Sequence, residues 1–156
     1  MDFVKALPSD AQAIVDFERE CFPCVTDRFP IKNIKYQLKS NTCLIIVCKT
    51  ATGKICALVT GFLRHFKQSS GRVYKIGVLP DLKRKGIGSL LLKKIEKWFL
   101  ENGMQCSYAE VRESNKASRG MFLKNGYKET GKLYGYYGSL KYSIELEDGV
   151  KYKKIL

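Results

Sequence analysis

The sequence holds no apolar run approaching the roughly 20 residues that a membrane-spanning helix needs. Its opening MDFVKALPSD has no apolar stretch of the signal-peptide kind. A soluble, cytoplasmic protein is the expectation. Histidine is nearly absent, the one example being His65, and it falls near the end of an apolar run, where a solvated edge position is expected. The single C-x-x-C, Cys21-Phe22-Pro23-Cys24, has no second pair to complete a zinc set, so no metal site is expected. The six cysteines (21, 24, 43, 48, 56, 106) come without any sign of secretion, and those inside apolar runs read as small hydrophobes rather than bridge partners. Acidic residues are also short: 15 Asp and Glu face 28 Lys and Arg, a net charge of +13. The excess favours polyanionic partners, ribosomal RNA or DNA among them. Plain solubility charge stays open as well, because the lysines run along the whole chain.

Two familiar phosphate loops are missing. No run has the Gly-x4-Gly-Lys-Ser/Thr spacing, and the third glycine of a dinucleotide fingerprint would fall on Leu91. What stands instead is Tyr74–Leu92, YKIGVLPDLKRKGIGSLLL. It reads as a short apolar strand (Tyr74–Leu79), a Pro80-Asp81 break, the basic run Lys83-Arg84-Lys85, then Gly86-Ile87-Gly88-Ser89 opening a helix. Free N–H groups and the macrodipole at a helix N-terminus attract anions, and glycines at 86 and 88 would let a pyrophosphate reach the backbone. Taken alone, such a glycine pair reads rather as a softened turn beside solvated lysines.

At 156 residues with 45% hydrophobic and 12% aromatic side chains, one globular domain over 1–156 is expected. No repeat, linker or low-complexity segment interrupts it. Phe3–Leu7 predicts a strand stopped by Pro8. Ser9-x-x-Gln12 predicts a capping box for a helix with Ala13, Ile14 and Phe17 inward. Pro23 and Pro30 break up 21–30, and Ile31, Ile34 and Leu38 predict a second helix. The runs Cys43–Cys48 and Ile55–Phe66 predict a hairpin, and Lys67–Gly71 a turn into the strand at 74. The helix from Gly86 carries Ile87, Leu91, Ile95 and Trp98 on one stripe and stops at Asn102-Gly103. Ser107–Val111 then makes a strand parallel to and beside the one at 74–79. Ala117–Lys124 predicts a short helix, and Leu133–Tyr137 with Leu140–Leu146 a closing hairpin through Gly138-Ser139.

The basic-Gly-x-Gly spacing, with Lys83 at its head, resembles the acyl-CoA motif of the GNAT acyltransferases. A second stretch, Glu110-Val-Arg-Glu-Ser-Asn115 followed by Ala117 and Lys124-Asn-Gly-Tyr127, resembles that family's downstream strand, asparagine and helix. The branch it is most similar to acetylates protein N-termini, typified by the ribosomal-protein alanine acetyltransferase. The resemblance implies a mixed α/β (α+β) fold: a mostly antiparallel sheet, one parallel strand-helix-strand unit for acetyl-CoA, and helices on both faces.

It implies an acetyl-CoA-dependent N-acetyltransferase acting directly on a primary amine, a protein N-terminal α-amino group foremost. The alternatives are a polyamine or amino-sugar type of small amine, a catalytically weak CoA-binding module, or a basic nucleic-acid-binding domain. Backbone groups of Ile76, Gly77 and Val78 would hold pantetheine and the thioester carbonyl, with a bulge at Gly77 freeing an N–H. Lys83, Arg84, Lys85, Gly86, Ile87, Gly88 and Ser89 would take the pyrophosphate, and Asn115 the pantetheine arm. Glu110 matches the family's proton acceptor; read simply as a residue, it is a strand carboxylate paired with Arg112 or a lysine. Phe122 stands where the relatives carry a tyrosine that protonates the leaving thiolate, so either the thiolate leaves unassisted or a nearby tyrosine substitutes, with Tyr137 the candidate acid. Phe22 and Tyr136 would contact the acceptor. The acidic residues that usually follow the tyrosine pair are replaced by Gly138, Ser139 and Lys141, which sets the ribosomal substrate apart.

Overall fold

A computed structural model describes residues 1–138 and 146–156. Its strands are β1 (Asp2–Lys5), β2 (Cys43–Lys49), β3 (Ile55–His65), β4 (Ser69–Val78), β5 (Cys106–Arg112), β6 (Lys128–Tyr137) and β7 (Glu147–Ile155). Its helices are α1 (Ala11–Cys21), α2 (Ile31–Lys39), α3 (Ile87–Glu101) and α4 (Lys116–Lys124). The strands form one sheet in the order β1-β2-β3-β4-β5-β7-β6. β4 and β5 are parallel and the other neighbours antiparallel. The α3 crossover between β4 and β5 is what permits the parallel pair, since no tight turn can join parallel strands.

One irregularity decides which face each half of β4 shows. Gly61 pairs with Val73 and Thr60 with Lys75, so Tyr74 is an extra residue on β4. A one-residue bulge reverses the side-chain alternation beyond it. Before the bulge, Gly71 lies under Phe99 of α3; after it, Gly77 lies under Cys21 and Phe22 at the end of α1. The first seven residues of β3 are buried because α1 and α3 cover opposite faces. Helices on both faces are thus confirmed. The bulge expected at Gly77 sits at Tyr74 instead, and Gly77 is glycine because a Cβ there would come within 2.8 Å of Cys21 Sγ and of the Phe22 ring.

Other expectations shift locally. The first helix is preceded by a 3-10 turn, Pro8–Asp10, and Asp10 Oδ2 accepts the Leu7 N–H at 2.8 Å; Gln12 donates to Asp16 rather than closing a box with Ser9. Ile14, Phe17 and Glu18 face inward while Ala13 is exposed. On α3 the fully buried stripe is Leu91, Leu92, Ile95 and Phe99, with Phe99 in place of the half-buried Trp98. Gly103 ends α3 region at φ +77, as a helix stop favours. The turn before β4 is shorter than expected, because Ser69 already pairs with His65. A closing strand runs over Glu147–Ile155, and the strand expected at Leu140–Leu146 falls, but for Leu146, on residues 139–145, which lie outside the described residues.

Phe99 also sets the prediction from this packing. A Cβ on Gly71 would fall 2.3 Å from Phe99 ring carbons, so Gly71→Ala should cost about 2–3 kcal/mol, the upper range for overpacking. Phe99→Leu in the same background should recover part of that loss. Urea unfolding midpoints check it, and a single variant as stable as the parent would sink it.

Candidate active site

The parallel pairing of β4 with β5 ends at Val73 and Ala109. Past that point β4 stays on β3 as far as Val78, and β5 stays on β7 as far as Arg112. The facing edges of Tyr74–Val78 and Glu110–Arg112 therefore part without bonding each other. A cavity of about 560 Å³ opens at the split, lined among others by Phe22, Ile76, Glu110, Asn115, Phe122, Tyr136 and Tyr137. Seven of the residues expected to act are thus gathered around one space. Gly77, Val78 and the 83–89 segment are not in that lining; they continue from the same end of β4.

Among the described residues, Glu110 is paired with neither Arg112 nor a lysine. Arg72 Nε donates to Glu110 Oε2 at 2.9 Å, with Nη2 also 2.9 Å from that oxygen, and Nη2 donates to the Tyr136 hydroxyl at 3.1 Å. The pair bridges β4 to β5 one step from where their backbones separate. Among the described residues no hydrogen bond falls on Glu110 Oε1, which leaves that oxygen for a ligand or water in the cavity.

Arg112 fastens the two cavity walls. It donates from Nε and Nη2 to both Asp27 oxygens at 3.0 and 2.8 Å, and from Nη1 to Gly138 O at 2.7 Å and Glu147 at 3.2 Å. Its guanidinium also lies 4.6 Å from the Tyr137 ring centroid. Such forked, charge-assisted bonding is strong and directional. Tyr137 meets Tyr136 edge-on at 4.9 Å. Burial, with the Glu110 charge next, pushes its hydroxyl above the usual tyrosine range, so it holds its proton at neutral pH. Gly149 has no side chain because Tyr137 lies 2.9 Å from where a Cβ would be.

A buried ion pair forms part of the floor. Lys75 Nζ donates to Glu18 Oε1 at 2.6 Å, Glu18 Oε2 accepts the Phe29 N–H at 2.7 Å, and Lys75 Nζ lies 4.0 Å from the Phe29 ring centroid. Burial pushes the ammonium below the ordinary lysine range although Glu18 pulls the other way. Sequence reading missed both Arg112 as a clamp and this pair. Asp27 is 85 residues from Arg112 and Glu18 is 57 from Lys75, so no local pattern joins them.

The 83–89 segment has the shape of an anion cradle. Arg84 has φ +62, the one non-glycine residue with positive φ among the described residues, and Gly86, at φ +80, is the N-cap of α3 without a side-chain cap. Alternating hands of backbone turn successive N–H groups toward one concavity, and Lys83, Arg84, Lys85 and Gly86 are all exposed. A pyrophosphate fits these groups. Gly88 is glycine for packing, since Met121 Sδ lies 2.8 Å from where a Cβ would be. Asn115 caps α4, its Oδ1 accepting the Ser118 N–H at 3.1 Å, which leaves its Nδ2 to donate elsewhere. Phe122 is 2% exposed, stacked on Tyr152 at 5.8 Å and edge-on to Tyr127 at 5.0 Å. His65 is exposed at the end of β3, and none of the six cysteines forms a disulfide.

The comparisons agree with this architecture. An acetyltransferase of Pectobacterium atrosepticum is 26% identical over 119 residues, covering 76% of this chain and 82% of that protein. The ribosomal-protein-S18-alanine N-acetyltransferase of Escherichia coli superposes with a TM-score of 0.81 at 19% identity, over 99% of this chain and 92% of that one. NAA60 of Arabidopsis thaliana in complex with acetyl-CoA gives 0.85 at 13% identity, over 99% and 98%. At such identities the structural likeness shows the fold alone. The family assignment rests on a sequence model, described as the acetyltransferase (GNAT) family, which matches residues 11–127. With its parted parallel strands and a basic glycine loop at the head of α3, the chain belongs to the GNAT family of acetyltransferases.

Proposed function

We propose that the protein transfers an acetyl group from acetyl-CoA directly to a primary amine, and that the amine is the α-amino group of a polypeptide. The observation that carries the reading is the split between β4 and β5, with an anion cradle at one end and a carboxylate, Glu110, in the cavity. Acetyl-CoA supplies the activated thioester. Lys83, Arg84, Lys85 and the N–H groups of Gly86–Ser89 would hold its pyrophosphate, Asn115 its pantetheine arm, and the β4 edge at Ile76–Val78 the pantetheine and thioester carbonyl.

Attack requires a neutral amine, while an α-amino group has a pKa near ~8 and a lysine near ~10.4. Glu110 Oε1 would receive the proton through a water, with Arg72 holding the carboxylate in place. Tyr137 keeps its proton and would donate to the departing sulfur. A polycationic acceptor fits less well: Asp27 and Glu110 in the lining are already matched by Arg112 and Arg72, and Arg28, which donates to the Phe22 and Pro23 carbonyls, adds a positive charge with no carboxylate partner among the described residues. One solved structure of the same fold is that of an enzyme named for a protein acceptor, the ribosomal-protein-S18-alanine N-acetyltransferase, and a polypeptide acceptor is the reading by analogy with it. Turnover with a panel of peptides and small amines tests the reading; acetylation of small amines alone, or acetyl-CoA binding without turnover, would overturn it.

Gly86→Asp should raise the acetyl-CoA Kd about 30-fold, or ~2 kcal/mol, the upper range for a charge at a helix terminus. The fold should hold, because a Cβ there meets nothing within 4 Å and aspartate tolerates positive φ better than most residues. Calorimetric titration showing near-normal affinity would place the anion site elsewhere.

Transfer should not pass through a cysteine. Cys21, beside Gly77, has its thiol pushed up to about 11 by burial, which leaves little thiolate at neutral pH. Intact mass during turnover should show no acetylated enzyme, and a labile acetyl group lost to acceptor would contradict direct transfer.

Tyr137 and Phe122 can be separated by a four-protein comparison at saturating acetyl-CoA. If Tyr137 is the acid, Tyr137→Phe should lower kcat ~10²-fold, and adding Phe122→Tyr should restore part of it. A rise in acceptor KM at constant kcat would make Tyr137 a substrate contact instead.

A further inference from the structure

A second depression adjoins the cavity. It has a volume of about 400 Å³ and is lined by Phe62, Leu63, Arg64, His65, Phe66, Arg72 and Tyr74. Arg72 and Tyr74 also line the first cavity, so the two adjoin across these side chains. Tyr74 is fixed there: it stacks on Phe29 at 5.3 Å, meets Phe62 edge-on at 5.5 Å, and carries the Arg72 guanidinium 4.8 Å from its centroid. Phe29 lines only the first cavity and Phe62 only the second.

The chemistry of the second depression differs from that of the first. Its lining includes two arginines, a histidine and three aromatic rings, and no carboxylate among the described residues. Arg72 is matched by Glu110, but Arg64 is matched by no carboxylate among the described residues. Phe66, at the tip of the β3–β4 hairpin, is 80% exposed. Exposed rings beside Arg64, a cation matched by no carboxylate among the described residues, suit a ligand with both apolar and negative groups. From Phe29 across Tyr74 to Phe62 the two ring steps of 5.3 and 5.5 Å bound the path at about three residues of extended chain, at ~3.4 Å each.

We propose that this depression binds the acceptor polypeptide downstream of its acetylated residue, and that it selects acidic side chains about three to five positions beyond the N-terminus. The inference rests on the N-terminal acetyltransferase reading and adds to it a sequence preference. A single-stranded nucleic acid would also meet charge and rings, but the depression adjoins, through Arg72 and Tyr74, the cavity that would hold the amine, which favours the acceptor's own chain.

The test uses two peptides identical over their first three residues, one with Glu and the other with Lys at positions four to six. The parent enzyme should acetylate the acidic peptide with a kcat/KM about tenfold higher, through KM, and added salt should shrink the ratio. Arg64→Glu should bring the ratio to one or below. Because the readout is a ratio within one protein, loss of folded enzyme cancels. Equal rates for the two peptides in the parent, or a ratio that Arg64→Glu leaves untouched, would overturn the proposal. So would competitive blocking of both peptides alike by oligouridylate. Acetylation of neither peptide, with a small amine still turned over, would instead overturn the polypeptide reading and the preference with it.

Discussion

Two parallel strands that pair for four residues and then part are the constraint on which the rest of this molecule depends. Separating strands leaves backbone N–H and C=O groups without sheet partners, and such groups must find water, ligand or side chains. Each strand keeps its outer neighbour, so the gap stays open without unravelling the sheet. The bulge at Tyr74 sits at the parting point and turns Lys75 and Gly77 toward α1, so that α1 and the 22–30 segment close one side of the gap. The same backbone feature therefore opens the site and chooses its wall.

Side-chain charge then holds the gap at a fixed width. Arg72–Glu110 ties β4 to β5 just past the last pair, and Arg112 ties the end of β5 to Asp27, Gly138 and Glu147. Lys75–Glu18 anchors α1 to β4 beneath them. Removing one partner from buried pairs of this kind leaves an uncompensated charge, which is far worse than never having had the pair. Cations and anions nearly balance around the cavity, while the +13 net charge is carried elsewhere, including the exposed Lys83–Lys85 loop. Among the described residues no carboxylate pairs with Lys83, Arg84 or Lys85, whereas Arg72, Arg112 and Lys75 at the cavity each have one.

Much of this was readable from local pattern. The strand, basic loop and helix of 74–92, the parallel crossover and the hairpin of β2 and β3 follow from apolar periodicity and glycine placement, which are properties of neighbouring residues. Cys43–Lys49 and Ile55–His65 lie within a residue of the expected runs. Glu110, Asn115, Phe122, Tyr136 and Tyr137 were legible through spacing that resembles a family, and they do meet at one cavity. The strand Glu147–Ile155 went unread because it is rich in lysine and reads as polar, while its register is set by β5 and β6 on either side.

The sequence by itself determined the order of elements, the anion loop and the positive charge, since each depends on residues a few positions apart. Tertiary structure alone decided that Gly77 makes room for Cys21 and Phe22 rather than a bulge, that Glu110 belongs to Arg72, and that Arg112 joins residues 85 apart. The first of these turns on the extra residue at Tyr74, and the other two on contacts between elements far apart in the chain. A one-residue change of alternation reverses every contact beyond it, and nothing in the local pattern of hydrophobicity records it.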